Sequence, residues 1–119
     1  MSMRWIDSHC HLDAPEFDLD RTEVLQKAQS QGVAWCVMPA VQAKDFLPLQ
    51  KLAQELHQPY ALGIHPLFVP QAQEQDLAFL AQCIESALAQ DAHGKRIDPS
   101  LVALGEIGLD FFVPALCEP

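Results

Sequence analysis

The sequence feature that most constrains the fold is an unbroken apolar run, Val33–Met38, which ends at Pro39. The run has the length of a β-strand and contains no polar residue, which is typical of a strand buried on both faces of a parallel sheet. Other short apolar runs alternate with segments of helical periodicity along the chain. This alternation predicts an α/β fold with a parallel sheet and right-handed crossovers.

Four strands and three helices follow from this pattern. We predict strands at 4–9, 33–38, 60–64 and 101–106, and helices at 21–31, 45–57 and 74–90. The first strand is apolar enough to be buried. Asp20 and Glu23 have capping-box spacing for the first helix, and Asp45 is placed to cap the second. The segment 12–19 is predicted as a loop and 107–119 as a tail.

The charge balance argues against a basic nucleic-acid groove. The chain has 119 residues with 7 basic and 16 acidic side chains, a net charge of −9, and it forms one small domain. A phosphate-containing substrate stays compatible with this balance, because bound divalent cations dominate the local field of a site.

Cysteine usage and hydropathy predict a cytoplasmic protein that does not cross a membrane. The four cysteines are irregularly spaced, with no C-x-x-C pair, so we expect free thiols in a reducing compartment. Cys36 and Cys83 fall in apolar patterns and are predicted to be buried. No run approaches the ~20 apolar residues of a membrane span, and Met1–Arg4 begins no long apolar stretch.

A histidine pair follows the first predicted strand. Side chains alternate faces along a strand, so His9 and His11 point the same way with Cα atoms roughly 6–7 Å apart. Two imidazoles at this spacing can converge on one divalent metal ion. The alternative is a solvated histidine pair at a strand end.

Further polar residues occur where other predicted strands end. Glu106 closes an apolar strand, and its carboxylate is costly there unless it is paired, binds metal or reaches solvent. His65 can bond a phosphate or a metal-bound water, or simply cap its loop. Asp110 can orient a ligand or cap a turn. His57 and His93 are predicted to lie on the surface.

The candidate residues fall in three motifs: Asp7–Asp13 (DSHCHLD), Gly63–Pro66 (GIHP) and Gly105–Asp110 (GEIGLD). In their order and spacing, these motifs resemble the TatD family of metal-dependent hydrolases, which are amidohydrolase-like TIM barrels.

The resemblance implies that His9 and His11 bind one divalent ion and that Glu106 bridges this ion to a second one. Glu106 is then the candidate catalytic residue, with His65 and Asp110 as candidate substrate-binding residues. The expected reaction is hydrolysis of phosphodiester bonds in a nucleic acid or nucleotide by metal-activated water, as in a deoxyribonuclease. The pattern does not distinguish Zn, Mn and Mg.

The chain departs from the family in length, because members are about twice as long and supply two more histidines and an aspartate from later strands. We therefore expect a partial domain over residues 1–119, the N-terminal half of a TIM barrel truncated after strand four. Its unpaired edges and uncovered apolar face predict self-association or a need for the missing half. Two other readings stay open, an amide or ester hydrolase and a non-catalytic half-barrel.

Overall fold

A computed structural model describes residues 3–117. The helices are α1 (Arg21–Ser30), α2 (Phe46–Leu56) and α3 (Glu74–Leu88), and the strands are β1 (Trp5–Asp7), β2 (Val33–Cys36), β3 (Met38–Pro39), β4 (Tyr60–Leu62) and β5 (Leu101–Leu104). Strands and helices alternate as predicted, and each element is somewhat shorter than the sequence pattern indicates. The end of the predicted tail, residues 118–119, lies outside the described residues.

All described strand pairs are parallel, which confirms the predicted α/β class. β1 pairs with β2 in a two-stranded ladder and β3, β4 and β5 pair in a three-stranded one; the two ladders share the run 33–39, so that β1 and β5 are the outer strands of the combined sheet. The prediction of one continuous strand at 33–38 is wrong in detail, since Val37 separates β2 from β3. The Val37 N–H donates to Asp7 O at 2.8 Å, whereas the next N–H, of Met38, donates to Pro59 O at 3.1 Å. The run thus changes hydrogen-bonding neighbour between consecutive residues, as a middle strand does.

The core lies between the sheet and the helices. α2 buries Phe46, Leu49 and Ala53 against it, whereas α1 buries only Leu25 among its residues. Phe46 stacks on Phe79 with ring centroids 5.8 Å apart. The amphipathic face of α2 is therefore a principal support of the strands that lead to the candidate site. No helix within residues 3–117 has both the length and the apolar character needed to cross a membrane.

Burial of the first strand is the clearest wrong prediction. Trp5 and Ile6 are 59% and 63% exposed, and Trp35 on β2 is 46% exposed. β1 has a strand neighbour on one side only within the described residues. Ile6 and Trp35 also lie on a face of the strands that is open to a concave cavity of about 530 Å³, whose apolar lining continues through Val37, Pro59 and Val102.

The predicted helix caps are also wrong in detail. Asp20 has φ −138° and ψ 14°, and its side chain makes no capping hydrogen bond, so the box with Glu23 is absent. Asp45 precedes α2 but likewise makes no side-chain cap. On α3, by contrast, the N3 residue does cap the start of the helix, because the Asp76 carboxylate accepts the Gln73 N–H at 2.9 Å.

Candidate metal centre

The backbone of residues 37–41, which includes β3 and the loop after it, holds the three site-bearing segments together. Pro39 and Ala40 have no ligand chemistry, but the carbonyl groups of this stretch accept a hydrogen bond from each segment. These bonds run from Cys10 N to Val37 O at 2.9 Å, from Glu106 N to Ala40 O at 2.8 Å, and from His65 N to Val41 O at 2.8 Å. The carboxyl ends of three strands are thereby fixed at one edge of the sheet, where ligands bind in folds of this type.

Two histidines and one glutamate meet at this edge from opposite ends of the chain. His9 Nε2 lies 3.1 Å from His11 Nε2. Glu106 directs its Oε1 to His9 Nε2 at 3.4 Å and its Oε2 to His11 Nε2 at 3.2 Å. The sequence-predicted metal residues are therefore brought together, and each offers one ligand atom within 4.8 Å of the others.

The separations fit a shared cation. Two ligand atoms each about 2.0–2.2 Å from one ion lie about 2.8–3.6 Å apart at octahedral or tetrahedral angles. The three distances of 3.1, 3.2 and 3.4 Å all fall in this interval. Imidazole nitrogen and carboxylate oxygen are also the donor types that Zn and related divalent metals accept.

Hydrogen bonds between neutral rings can use only part of the same arrangement. Each Nε2 faces both the other histidine and a Glu106 oxygen, but a neutral imidazole has a single N–H. Each ring can therefore direct its hydrogen at the other histidine or at Glu106, and not at both. A divalent cation held by the three side chains would instead receive a lone pair from each of them.

Close approach of Glu106 depends on Gly63, just after β4. A Cβ at Gly63 would lie 2.5 Å from Glu106 O, 2.8 Å from Gly105 C and 3.0 Å from Glu106 N. All three are backbone atoms, which cannot swing aside as a flexible side chain can. Only glycine fits at this position with Glu106 where it is.

His65 presents a proton donor to the same carboxylate. Its Nδ1 accepts the Leu67 N–H at 3.0 Å, so in the neutral ring the hydrogen is on Nε2. That Nε2 lies 3.7 Å from Glu106 Oε1, beyond hydrogen-bonding distance. The loop-capping alternative for His65 therefore occurs, whereas a bond from its Nε2 to a phosphate or a metal-bound water stays a prediction.

Asp13 is a second carboxylate beside the histidine pair. Its Oδ1 is shielded from solvent without a hydrogen-bond partner, and it lies 3.9 Å from His11 Nδ1. Burial raises the pKa of the Asp13 carboxyl, against smaller lowering effects from its backbone hydrogen bond and from His11. Sequence reasoning missed Asp13 and Gly63, although both lie inside the quoted motifs.

The remaining candidates divide between turn and surface positions. Asp110 Oδ1 accepts the N–H of Phe112 at 2.8 Å and of Val113 at 3.3 Å, so the turn-capping alternative is present, and a substrate contact stays a prediction. His57 and His93 are exposed, as predicted.

The thiols do not compete for the metal position. All four cysteines are free, as predicted. Cys36 is buried as expected, whereas Cys83 is only half-buried. Burial raises the pKa of the Cys10 thiol, and it raises that of Cys36 to about 11. Both thiols are therefore protonated at neutral pH in the metal-free protein, and neither belongs to the cluster of His9, His11 and Glu106.

Known proteins are similar to this chain in both sequence and fold. The chain is 37% identical over 113 residues to the uncharacterized metal-dependent hydrolase YjjV of Escherichia coli K12, a match that covers 94% of this chain and 40% of YjjV. It is 33% identical over 108 residues to the human deoxyribonuclease TATDN3, covering 89% of this chain and 38% of that protein.

The crystal structure of YjjV superposes with a TM-score of 0.80 at 35% identity, covering 98% of this chain and 42% of the YjjV chain. The chain thus spans about two-fifths of the length of the relatives it matches. A family model described as TatD related DNase matches residues 6–116. On this evidence, the chain belongs to the TatD family of metal-dependent hydrolases.

Proposed function

We propose that this chain contributes the first metal-binding strands of a divalent-metal-dependent hydrolase that cleaves phosphodiester bonds in DNA. The observation that carries the proposal is the convergence of His9, His11 and Glu106 from opposite ends of the sequence, with separations of 3.1–3.4 Å. Membership of a family described as TatD related DNase, and similarity to a deoxyribonuclease, support a nucleic-acid or nucleotide substrate.

His9, His11 and Glu106 would hold the first ion, and Glu106 would also reach a second one. Zn, Mn and Mg are the candidate metals. When bound, such ions supply Lewis-acid charge and a water of lowered pKa, the usual source of a nucleophile at neutral pH. The chain's own contribution is to position donors and to retain a carboxylate at the place where the reaction occurs.

His65 would orient the substrate. Its Nδ1 is occupied by the Leu67 N–H, so its Nε2–H points toward the region of Glu106. A phosphate oxygen placed between ring and carboxylate would accept this hydrogen, which fixes the diester and offsets part of its negative charge. Asp110 would act from the same edge, through the loop that its Oδ1 already orders.

The architecture we propose for the complete catalytic unit is a TIM barrel of which this chain forms half. β1 and β5 are the outer strands of the described sheet, and Ile6, Trp35 and Val102 expose apolar surface toward a common cavity. Eight strands close such a barrel, and its interior is packed with branched side chains. We propose that further strands cover this face, or a second copy when the chain is alone.

Metal titration is the first test of the proposed function. Calorimetry with Zn²⁺ or Mn²⁺ should show binding by the folded chain, and His9→Ala, His11→Ala and Glu106→Gln should each weaken it by more than about 100-fold. His93→Ala is the matched control, because His93 is exposed in a polar loop. A folded chain that binds no metal at micromolar concentration contradicts the proposal and favours a non-catalytic half-barrel.

Hydrolysis is tested separately, with an activated phosphodiester and single-stranded DNA against a cyclic amide. Cleavage of the diester that Glu106→Gln abolishes supports the nuclease assignment. Cleavage of the amide alone favours the wider amidohydrolase activity. Four free cysteines support a reducing, cytoplasmic setting, so assays should contain reductant.

The oligomeric state in solution tests whether the exposed apolar face with Ile6, Trp35 and Val102 binds a second copy. The isolated chain should elute as a dimer or larger species, and Trp35→Glu should shift it toward monomer. Leu77→Glu is the control, because Leu77 is 61% exposed on α3, away from the cavity lining. A monodisperse monomer that melts cooperatively contradicts this part of the proposal.

A further inference from the structure

One of the two carboxylate oxygens of Asp13 is buried without a partner. Its Oδ1 is shielded from solvent and has no hydrogen-bond partner. Native proteins rarely leave a buried carboxylate oxygen unpaired, because the lost hydration is not replaced. The His11 Nδ1 lies 3.9 Å away, about 1 Å beyond an ordinary N–H···O hydrogen bond.

The backbone around Asp13 is held firmly by Arg21 at the start of α1. The guanidinium donates to Leu12 O at 2.7 Å and to Ala14 O at 3.1 Å, with a longer contact to Asp13 O at 3.3 Å. It also pairs with Asp18 at 2.7 Å. The loop that carries Asp13 is therefore fixed by main-chain bonds that do not involve the Asp13 side chain.

The chemistry of a metal-binding imidazole supplies the missing partner. If His11 gives its Nε2 lone pair to a cation, the ring hydrogen must be on Nδ1, which becomes a donor. A carboxylate oxygen is the acceptor that such a ring commonly uses, and it fixes both tautomer and ring orientation. Formation of this hydrogen bond requires the two atoms to approach by about 1 Å from their separation of 3.9 Å.

We propose that Asp13 is the positioning residue of His11, accepting its Nδ1–H when Nε2 faces the metal. The inference rests on the proposed function, because His11 must bind the ion for Asp13 to act. The unpaired Asp13 oxygen should lower the folding stability of the metal-free protein, whereas its hydrogen bond to His11 should raise the metal affinity. The two effects have opposite signs, which separates this role from ordinary structural support.

The test uses Asp13→Asn and Asp13→Ala, with Asp18→Asn as the matched control. Asp18 lies in the same loop and also contacts Arg21, but its side chain is 66% exposed. In calorimetry with Zn²⁺ alone, both Asp13 variants should bind about 10- to 100-fold more weakly than wild type, and the control should bind equally well. In EDTA, the Asp13→Asn protein should melt at the wild-type temperature or above it.

A spectroscopic readout tests the hydrogen bond directly. With Zn²⁺ bound, NMR of the histidine rings should show His11 as the Nδ1–H tautomer with a slowly exchanging ring proton in wild type. That proton should exchange faster in Asp13→Asn.

Each outcome bears on a different claim. Absence of Zn²⁺ binding by the wild type overturns both the proposed function and this inference. Wild-type binding with unchanged affinity in both Asp13 variants overturns the inference alone. A lower melting temperature of Asp13→Asn in EDTA, with no added loss of metal affinity, also overturns it.

Discussion

Replacement of Gly63 by alanine tests how the carboxylate of the centre is placed. The added Cβ would meet Glu106 O at 2.5 Å, about 0.9 Å short of the 3.4 Å at which ordinary contact begins. The obstructed atoms are main-chain atoms, and Glu106 N is already bonded to Ala40 O at 2.8 Å. Relief therefore requires the Glu106 segment to move as a unit, by an amount close to the overlap.

A displacement of this size is large compared with what a metal site tolerates. Ligand distances must stay within about ±0.2 Å of their preferred values, and a 1 Å misplacement costs about 100-fold in function. Overpacking of this kind costs about 1–3 kcal/mol of folding stability. We expect Gly63→Ala to remain folded, to lose a few kcal/mol at most, and to bind Zn²⁺ or Mn²⁺ about 100-fold more weakly.

Calorimetry of metal binding, with urea unfolding in EDTA, measures both quantities. Gly105→Ala is the matched control, because a Cβ there meets only the Ala61 Cβ at 3.9 Å, an ordinary contact. The control should keep metal affinity within a few-fold of wild type. If Gly63→Ala binds metal as tightly as Gly105→Ala, the main-chain approach does not position Glu106 and the reasoning is wrong.

Three further predictions concern stability. Asp98→Ala should lower the free energy of unfolding in urea by about 3 kcal/mol. The buried Asp98 carboxylate accepts the Tyr60 O–H at 2.6 Å, and its removal would leave that hydroxyl unpaired. An unchanged urea midpoint contradicts this. Gln58→Leu should lower the free energy of unfolding by about 1–3 kcal/mol, because the Gln58 Oε1 accepts the buried Cys36 N–H at 2.9 Å and leucine offers no acceptor. Gln54→Leu, at an exposed position of α2, is the control. Burial raises the pKa of Cys36 from 9.0 to about 11, so the folded state holds its proton more tightly than the unfolded chain. Stability should fall as the pH rises from 9 toward 11, and Cys36→Ala should make that fall shallower, as pH-dependent urea midpoints would show.

Residue pattern alone predicts the order of elements and the edge at which the polar residues collect. Periodicity and unbroken apolar runs record local burial, and parallel strands bring their carboxyl ends together. His9, His11 and Glu106 could be grouped for this reason, with the family resemblance specifying their metal role.

What the pattern could not predict depends on neighbours distant in sequence. The exposure of Trp5 and Ile6 depends on which other segments pack against β1. An apolar run in the sequence does not show whether such segments are present. The role of Gly63 depends on the path of a backbone some forty residues later in the chain. The unpaired oxygen of Asp13 likewise became visible only once the loop around it was placed.

The two outer strands of the sheet carry the two halves of the candidate centre, since the histidines follow β1 and the glutamate follows β5. An ion shared by them would act as a crosslink between the beginning and the end of the described chain. β1 has strand hydrogen bonds on one side only and no buried residue, so a crosslink should reduce its local opening. Metal loading should then slow amide hydrogen exchange in β1 more than in β4, which is already buried between its neighbours.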